Sequence, residues 1–214
     1  MRIGRPVVLL LLLGAVPASA VELDVLIDDS HGRPARDAVV SVRGDAGAPS
    51  PAYENATRII DQRNETFVPY VEIFRPGDKV VFRNSDRTRH HVYSFSAAKS
   101  FEFVIAPGDA APPVTLDQVG EISVGCNIHD RMITHLYVSD APWTAKSRSD
   151  GHATFADIPP GRYQVSVWHP QLRPGKDDPH QSIDLGADGA KIAFALPLLP
   201  DPRGDPDDRE KGRY

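Results

Sequence analysis

An all-β chain is predicted, and three observations carry that expectation. Short apolar–polar alternations of period two recur from Val21 to Leu196, rich in Val, Ile, Phe and Tyr. Clusters of Gly, Pro, Asp and Asn interrupt them at the intervals that hairpins and sheet crossings need. No segment keeps a 3.6-residue apolar period over four turns, so almost no helix is expected. Strands at this spacing imply a sandwich or a barrel.

Residues 1–20 stand apart. Arg2 and Arg5 precede an unbroken apolar run from Val7 to Leu13, and Ala18-Ser19-Ala20 closes it. That is the pattern of a secretory signal peptide. The run is too short to cross a bilayer as a stable helix, so a membrane-embedded protein is not expected. A periplasmic or secreted product follows. With 24 Lys and Arg against 29 Asp and Glu and no basic cluster, no nucleic-acid surface is expected.

From Val21 to Ile27 the chain alternates as a half-buried strand should, Asp28 to Gly32 is a turn, and Ala38 to Arg43 is a second strand. Residues 21–45 are read as the N-terminal strands of a flanking sandwich, with Gly44 to Pro51 a linker. A middle segment, residues 53–140, follows. It runs extended from Arg58 to Phe74, turns at Arg75 to Asp78, and resumes from Lys79 to Arg83. After a polar loop from Asn84 to Arg89, strands are expected at His90–Phe95, Ser100–Ile105, Val114–Leu116, Gly120–Val124 and Met132–Val138. Ala141-Pro142 marks a second boundary. Residues 144–197 supply the last strands, around Ala153–Phe155, Tyr163–Trp168, Gln181–Leu185 and Ala190–Leu196. Residues 198–214 are Pro, Asp, Arg and Gly without an apolar pattern and are expected to be a disordered tail.

The chemistry is concentrated in Gly125-Cys126-Asn127-Ile128-His129-Asp130-Arg131-Met132. Cys126 is the only cysteine. It can form no internal disulfide, so it is buried, free, shared with another chain or bound to a metal. A thiolate, an imidazole and a thioether within seven residues favour copper. A trigonal His₂Cys site with a weak axial Met needs one more histidine, and His90-His91 offers it. Strand alternation sends these two to opposite faces, so one of them can enter a given site. Against this, a lone Cys is often a small buried hydrophobe and a Met is often core filler. His135 is read as structural, and His169 as a packing or hydrogen-bonding residue. His31, His152 and His180 are placed in solvated turns. No nucleophile–base pair is evident, so an enzyme is not expected.

Phe82-Arg83-Asn84, then His90-His91-Val92, then Gly125 to Met132 resembles the cupredoxin family over about Tyr53 to Asp140. The Cys-x₂-His-x₂-Met spacing is similar to its amicyanin branch. The resemblance implies a Greek-key sandwich holding one copper ion, with His90 as the first ligand and Cys126, His129 and Met132 as the others. It implies a type 1-like single-electron carrier in a methylamine-type or other periplasmic oxidation chain. The redox partner would be a dehydrogenase or a cytochrome c-like protein. A copper-handling role, as chaperone, store or sensor, is the alternative. Two positions depart from the family pattern: Ile128 stands where a Pro usually precedes the second His, and His91 where an Asn usually follows the first. Asn84 and Asn127 are candidates for donors near the sulfur.

Val25 to Val42, with its Asp-x-x-Gly-x-Pro-like turn, resembles the opening of carboxypeptidase-regulatory-like sandwiches, whose fold is shared with some carbohydrate-binding modules. Ser149 to Val167 resembles the remainder of the same family. Each flank alone is too short to bury a core, whereas together they supply about seven strands. The middle sandwich is therefore expected to be inserted in, or flanked by, a second one with a structural or docking role.

Overall fold

A computed structural model describes residues 21–45 and 51–204. The expected signal peptide and the last ten residues lie outside them. Every regular element among the described residues is a strand, and none is a helix long and apolar enough to cross a membrane.

In chain order the first strands are β1 (Val21–Asp29) and β2 (Val39–Gly44). The middle segment holds β3 (Thr57–Gln62), β4 (Phe67–Val68), β5 (Val71–Phe74), β6 (Asp78–Asn84), β7 (His90–Ser96), β8 (Lys99–Ile105), β9 (Val114–Leu116), β10 (Gly120–Cys126) and β11 (His129–Val138). The last are β12 (Trp143–Lys146), β13 (His152–Ile158), β14 (Gly161–Trp168), β15 (His180–Leu185) and β16 (Ala190–Leu196).

These strands make two sandwiches. The middle segment forms a five-stranded sheet, β5-β11-β10-β7-β8, facing a four-stranded sheet, β4-β3-β6-β9. The two ends of the chain build the other one together. β1 lies between β13 and β16, and β2 lies between β12 and β14, with β15 outermost. Residues 23–29 pair in parallel with 190–196, and residues 39–44 pair with 163–168. The middle sandwich is thus inserted into a loop of the outer one.

Period-two alternation explains both cores. Leu23, Val25 and Ile27 of β1, Val40 and Val42 of β2, and Tyr163, Val165 and Val167 of β14 face inward in the outer sandwich. Val80 and Phe82 of β6, Val92 of β7 and Ile122 and Val124 of β10 do so in the inserted one. Burying each such side chain contributes roughly 1.5–3 kcal/mol. Phe82 meets Phe67 edge-on and Phe101 at a tilt, with ring centroids 6.1 and 5.4 Å away. Asp78 is fully buried and accepts hydrogen bonds from the Tyr53 hydroxyl and from the Ala56 and Arg75 amides. Burial alone would raise its pKa, but these donors outweigh that and hold it below the usual carboxylate range.

A third, small apolar cluster joins the sandwiches: Val39, Tyr70 and Val71, with Ile73, Ile133, Tyr137 and Trp168 against them. Polar ties flank it. Arg75 Nη2 donates to Pro142 O at 2.7 Å, Lys146 Nζ donates to Val71 O at 2.6 Å, and Arg43 pairs with Asp140.

The expected tail starts too early. Residues 198–204 are placed against the fold: Leu198 packs on the outer core, Leu199 N donates to Gln171 O, and the Arg203 guanidinium lies 3.3 Å from the centre of the Tyr70 ring. A polar segment escaped recognition as ordered because its anchors are an arginine and backbone amides, which leave no apolar pattern.

Candidate metal centre

Alternation along β7 turns His90, Val92 and Ser94 inward, and alternation along β10 does the same for Ile122, Val124 and Cys126. β7 and β10 are antiparallel neighbours with Cys126 opposite Val92. Asn127 N continues the ladder by donating to His91 O at 3.0 Å. The sulfur and the His90 ring therefore share one interior end of the sheet. Asn127 and Ile128 then make a tight turn, and His129 pairs directly across from Cys126. The next pair is Gly125 with Ile133, so residues 130–132 bulge out of β11. Within the bulge Asp130 and Arg131 are exposed, whereas Met132 is buried in the same core cluster as Cys126.

Two local expectations change here. His129 opens β11 instead of lying in a loop, and Met132 sits in a bulge instead of starting the strand. The two residues between Cys126 and His129 form the reversal of a hairpin, which makes the two a cross-strand pair.

Cys126 Sγ lies 3.5 Å from His90 Nδ1 and 3.7 Å from His129 Nδ1. All three donor atoms fall within 4.8 Å of one another. A metal about 2.3 Å from sulfur and about 2.0 Å from nitrogen, the lengths of zinc–thiolate and zinc–imidazole bonds, spaces such atoms about 3.5–3.7 Å apart at angles of about 110–120°. Both sulfur–nitrogen separations therefore match those that a single ion would set. His90 is fully buried and Cys126 is 5 % exposed, whereas the His129 side chain is 21 % exposed. The site is closed on the strand side and open at one imidazole.

His91 faces the other way and bonds Glu102 on β8 through Nε2, as the alternation argument requires. Asn84 is not a donor for the sulfur. Its Nδ2 donates to Thr88 O and Ile105 O at 2.8 and 2.9 Å, and its Oδ1 accepts from Asp86 N at 2.9 Å. The fully buried amide thus braces the loop that delivers His90. Asn127 contributes its backbone to the ladder, as described.

Sequence reasoning missed two residues that touch the cluster. Asp86 Oδ2 is 2.9 Å from His90 Nε2, and Glu65 Oε1 is 3.8 Å from His129 Nε2. Asp86 is marked only by standing four residues before His90 in a polar loop. Glu65 has no signal at all, because it arrives from the hairpin between β3 and β4.

The remaining histidines lie elsewhere. His135 bonds Glu121 at 2.8 Å and packs edge-on against Tyr70. His169 Nε2 donates to Arg36 O at 3.0 Å, and burial lowers its pKa. His152 belongs to β13 and bonds Asp24 at 2.9 Å, so it is a strand residue, not a turn residue. A cavity of about 590 Å³ is lined by Glu121, His135, Trp168 and His169 at the junction of the sandwiches, and contains none of the three clustered donors.

No protein-family model matches the chain, and no curated protein matches it. Solved structures do. A novel purple cupredoxin from Nitrosopumilus maritimus is 21% identical, with 40% of this chain and 100% of that one covered and a TM-score of 0.34. A Cu(I) mutant amicyanin is 15% identical, with 48% and 99% covered and a TM-score of 0.36. The copper-containing nitrite reductase of Thermus scotoductus is 19% identical, with 54% and 28% covered and a TM-score of 0.36. Likeness at this level does not establish membership of a family.

Proposed function

We propose that the protein is an exported, mononuclear copper protein of cupredoxin type that carries single electrons and is not an enzyme. The observation that supports this most is the convergence of two imidazole Nδ1 atoms on one buried, unbridged thiol. Thiolate with imidazole suits copper, and Met132, buried in the same core cluster as Cys126, would supply the weaker thioether ligand. Bound there, copper would supply a one-electron Cu(II)/Cu(I) couple.

The chain's own residues do the rest. His90 and Cys126 are fixed on adjacent strands of one sheet, and His129 is fixed across a tight turn. Donors held this way change little between oxidation states, which keeps the reorganisation cost of electron transfer low. Burial of His90 and Cys126 excludes water and competing ligands. His129 is the partly exposed ligand, so its outer edge is the port for the electron. A dehydrogenase or cytochrome c-like protein would dock there. Exchangeable copper handling is less favoured, because a transfer site needs its thiolate within reach of another protein.

The test is the absorption and EPR spectrum of the protein loaded with Cu(II). An intense thiolate-to-copper band that disappears in Cys126→Ser is expected. A Cu(II) EPR signal without that band, unchanged in Cys126→Ser, would remove the thiolate from the site and overturn the reading. Rapid loss of copper to a Cu(I) chelator would favour a handling role.

A further inference from the structure

Outside the three donors, the geometry points to a pair of carboxylates built to set the properties of both imidazoles. A carboxylate can only accept, so at 2.9 Å the proton of His90 sits on Nε2 and points at Asp86. That leaves the Nδ1 lone pair facing Cys126, which is the tautomer a metal needs. Asp86 is itself nearly buried, its side chain being 12 % exposed.

The same carboxylate does a second job. Asp86 Oδ1 accepts from Asn64 N, and Oδ2 accepts from Glu65 N at 3.0 Å. Asn64 and Glu65 form the two-residue turn between β3 and β4, closed by mutual hydrogen bonds of Arg63 and Thr66. Both have positive φ, 53° and 55°. Such a turn ordinarily prefers Gly, and a glutamate there is strained. Strain that persists at a site is a pointer to use. Here it places Glu65 Oε1 3.8 Å from Nε2 of His129.

We propose that Asp86 and Glu65 are positioning residues that hold His90 and His129 with Nδ1 inward and bias the bound copper towards Cu(II). This deepens the copper reading above and rests on it. A negative charge on the far nitrogen makes an imidazole a stronger donor. A stronger, more negative ligand field stabilises the doubly charged ion more than the singly charged one, so the pair lowers the reduction potential. Asp86 carries the larger share. Its contact is short and sheltered, whereas Glu65 is 65 % exposed, more distant and screened by solvent.

The test compares wild type with Asp86→Asn, Asp86→Ala, Glu65→Gln and Glu65→Gly. In copper-free protein, nitrogen NMR of the imidazoles should show His90 as the Nε2–H tautomer, and Asp86→Ala should lose that preference. In copper-loaded protein, Asp86→Asn should weaken Cu(II) about 10- to 100-fold, in line with other partners of metal-bound histidines. If Cu(I) affinity holds, the potential rises by about 59 mV per tenfold. Glu65→Gln should raise it by less. Glu65→Gly is the decisive variant: relief of strain should leave its unfolding temperature at or above wild type while its potential still rises. Potentials unchanged in all four variants, with only stability altered, would overturn the proposal. So would a His90 tautomer indifferent to Asp86. If wild type gives no thiolate–copper band, the copper reading fails, and the tautomer measurement still decides the role of Asp86.

Discussion

Tyr137 and Trp168 pack with ring centroids 4.9 Å apart, one from the inserted sandwich and the other from its host. Val39, Tyr70 and Val71 complete that contact. A Trp→Ala change in a full core costs about 3–5 kcal/mol, so the half-buried Trp168 should cost about 2–3 kcal/mol. The form of the change is more telling than its size. In Trp168→Ala, unfolding followed by Trp143 fluorescence and by copper colour should separate into two transitions. Coincident transitions would mean that other contacts couple the sandwiches.

Acid should weaken the inserted sandwich through Asp61. Burial pushes its pKa up, but hydrogen bonds from Arg83, Ser85 and Arg63 outweigh this and hold it at about 2, against an ordinary 3.8. The carboxyl therefore takes up protons more readily in the unfolded chain than in the folded one. Its contribution to stability is complete above about pH 4 and is lost as pH falls towards 2. Urea midpoints should fall across that window in wild type. They should fall less in Asp61→Asn, which starts from a lower value because Arg63 and Arg83 have lost their counter-charge.

Gly151 is a position where the backbone admits no side chain. Its φ is +80°, and a Cβ there would lie 2.5 Å from Ile27 O. Gly151→Ala should destabilise the host sandwich by more than about 1 kcal/mol, measured by chemical denaturation. Gly32 also has a positive φ, +72°, but nothing lies within 4 Å of its would-be Cβ. Gly32→Ala should therefore be the milder change.

Metal loading should be visible as stability. Free copper at about a thousand times its dissociation constant should add about 4 kcal/mol to unfolding. His90→Ala and Cys126→Ser should lose that increment while remaining folded without copper. An equal increment in both variants would place the bound ion elsewhere.

Much of the architecture was legible because strands with one buried face write their own pattern. Leu23 and Val25 alternate with Glu22 and Asp24, Tyr163, Val165 and Val167 alternate with Gln164 and Ser166, and Val80-Val81-Phe82 is a short β-branched and aromatic run between turn signals. The turn before Gly151 was legible from Asp150-Gly151. The clustering of Cys126, His129 and one histidine of the His90-His91 pair could be read from spacing and alternation. What alternation cannot encode is the side chain that reaches a site from a hairpin far away in sequence. Glu65 is such a case, since its position follows from strain in a turn whose residues do not advertise one. The bulge holding Met132 was illegible for a related reason: residues 130–132 have no pattern that separates a bulge from a strand start.

The nesting of one sandwich inside the other affects how the molecule is made. The chain leaves the host after β2 and returns at β12, and those two strands are hydrogen-bonded neighbours. Until the guest has formed, bringing them together means closing a floppy ring of about a hundred residues, at an entropic cost of about 4 kcal/mol. Once folded, the guest acts as a clasp that presents both ends side by side. Maturation should therefore run from the inside out, and a guest that cannot collapse would leave its host unassembled even with every host residue intact.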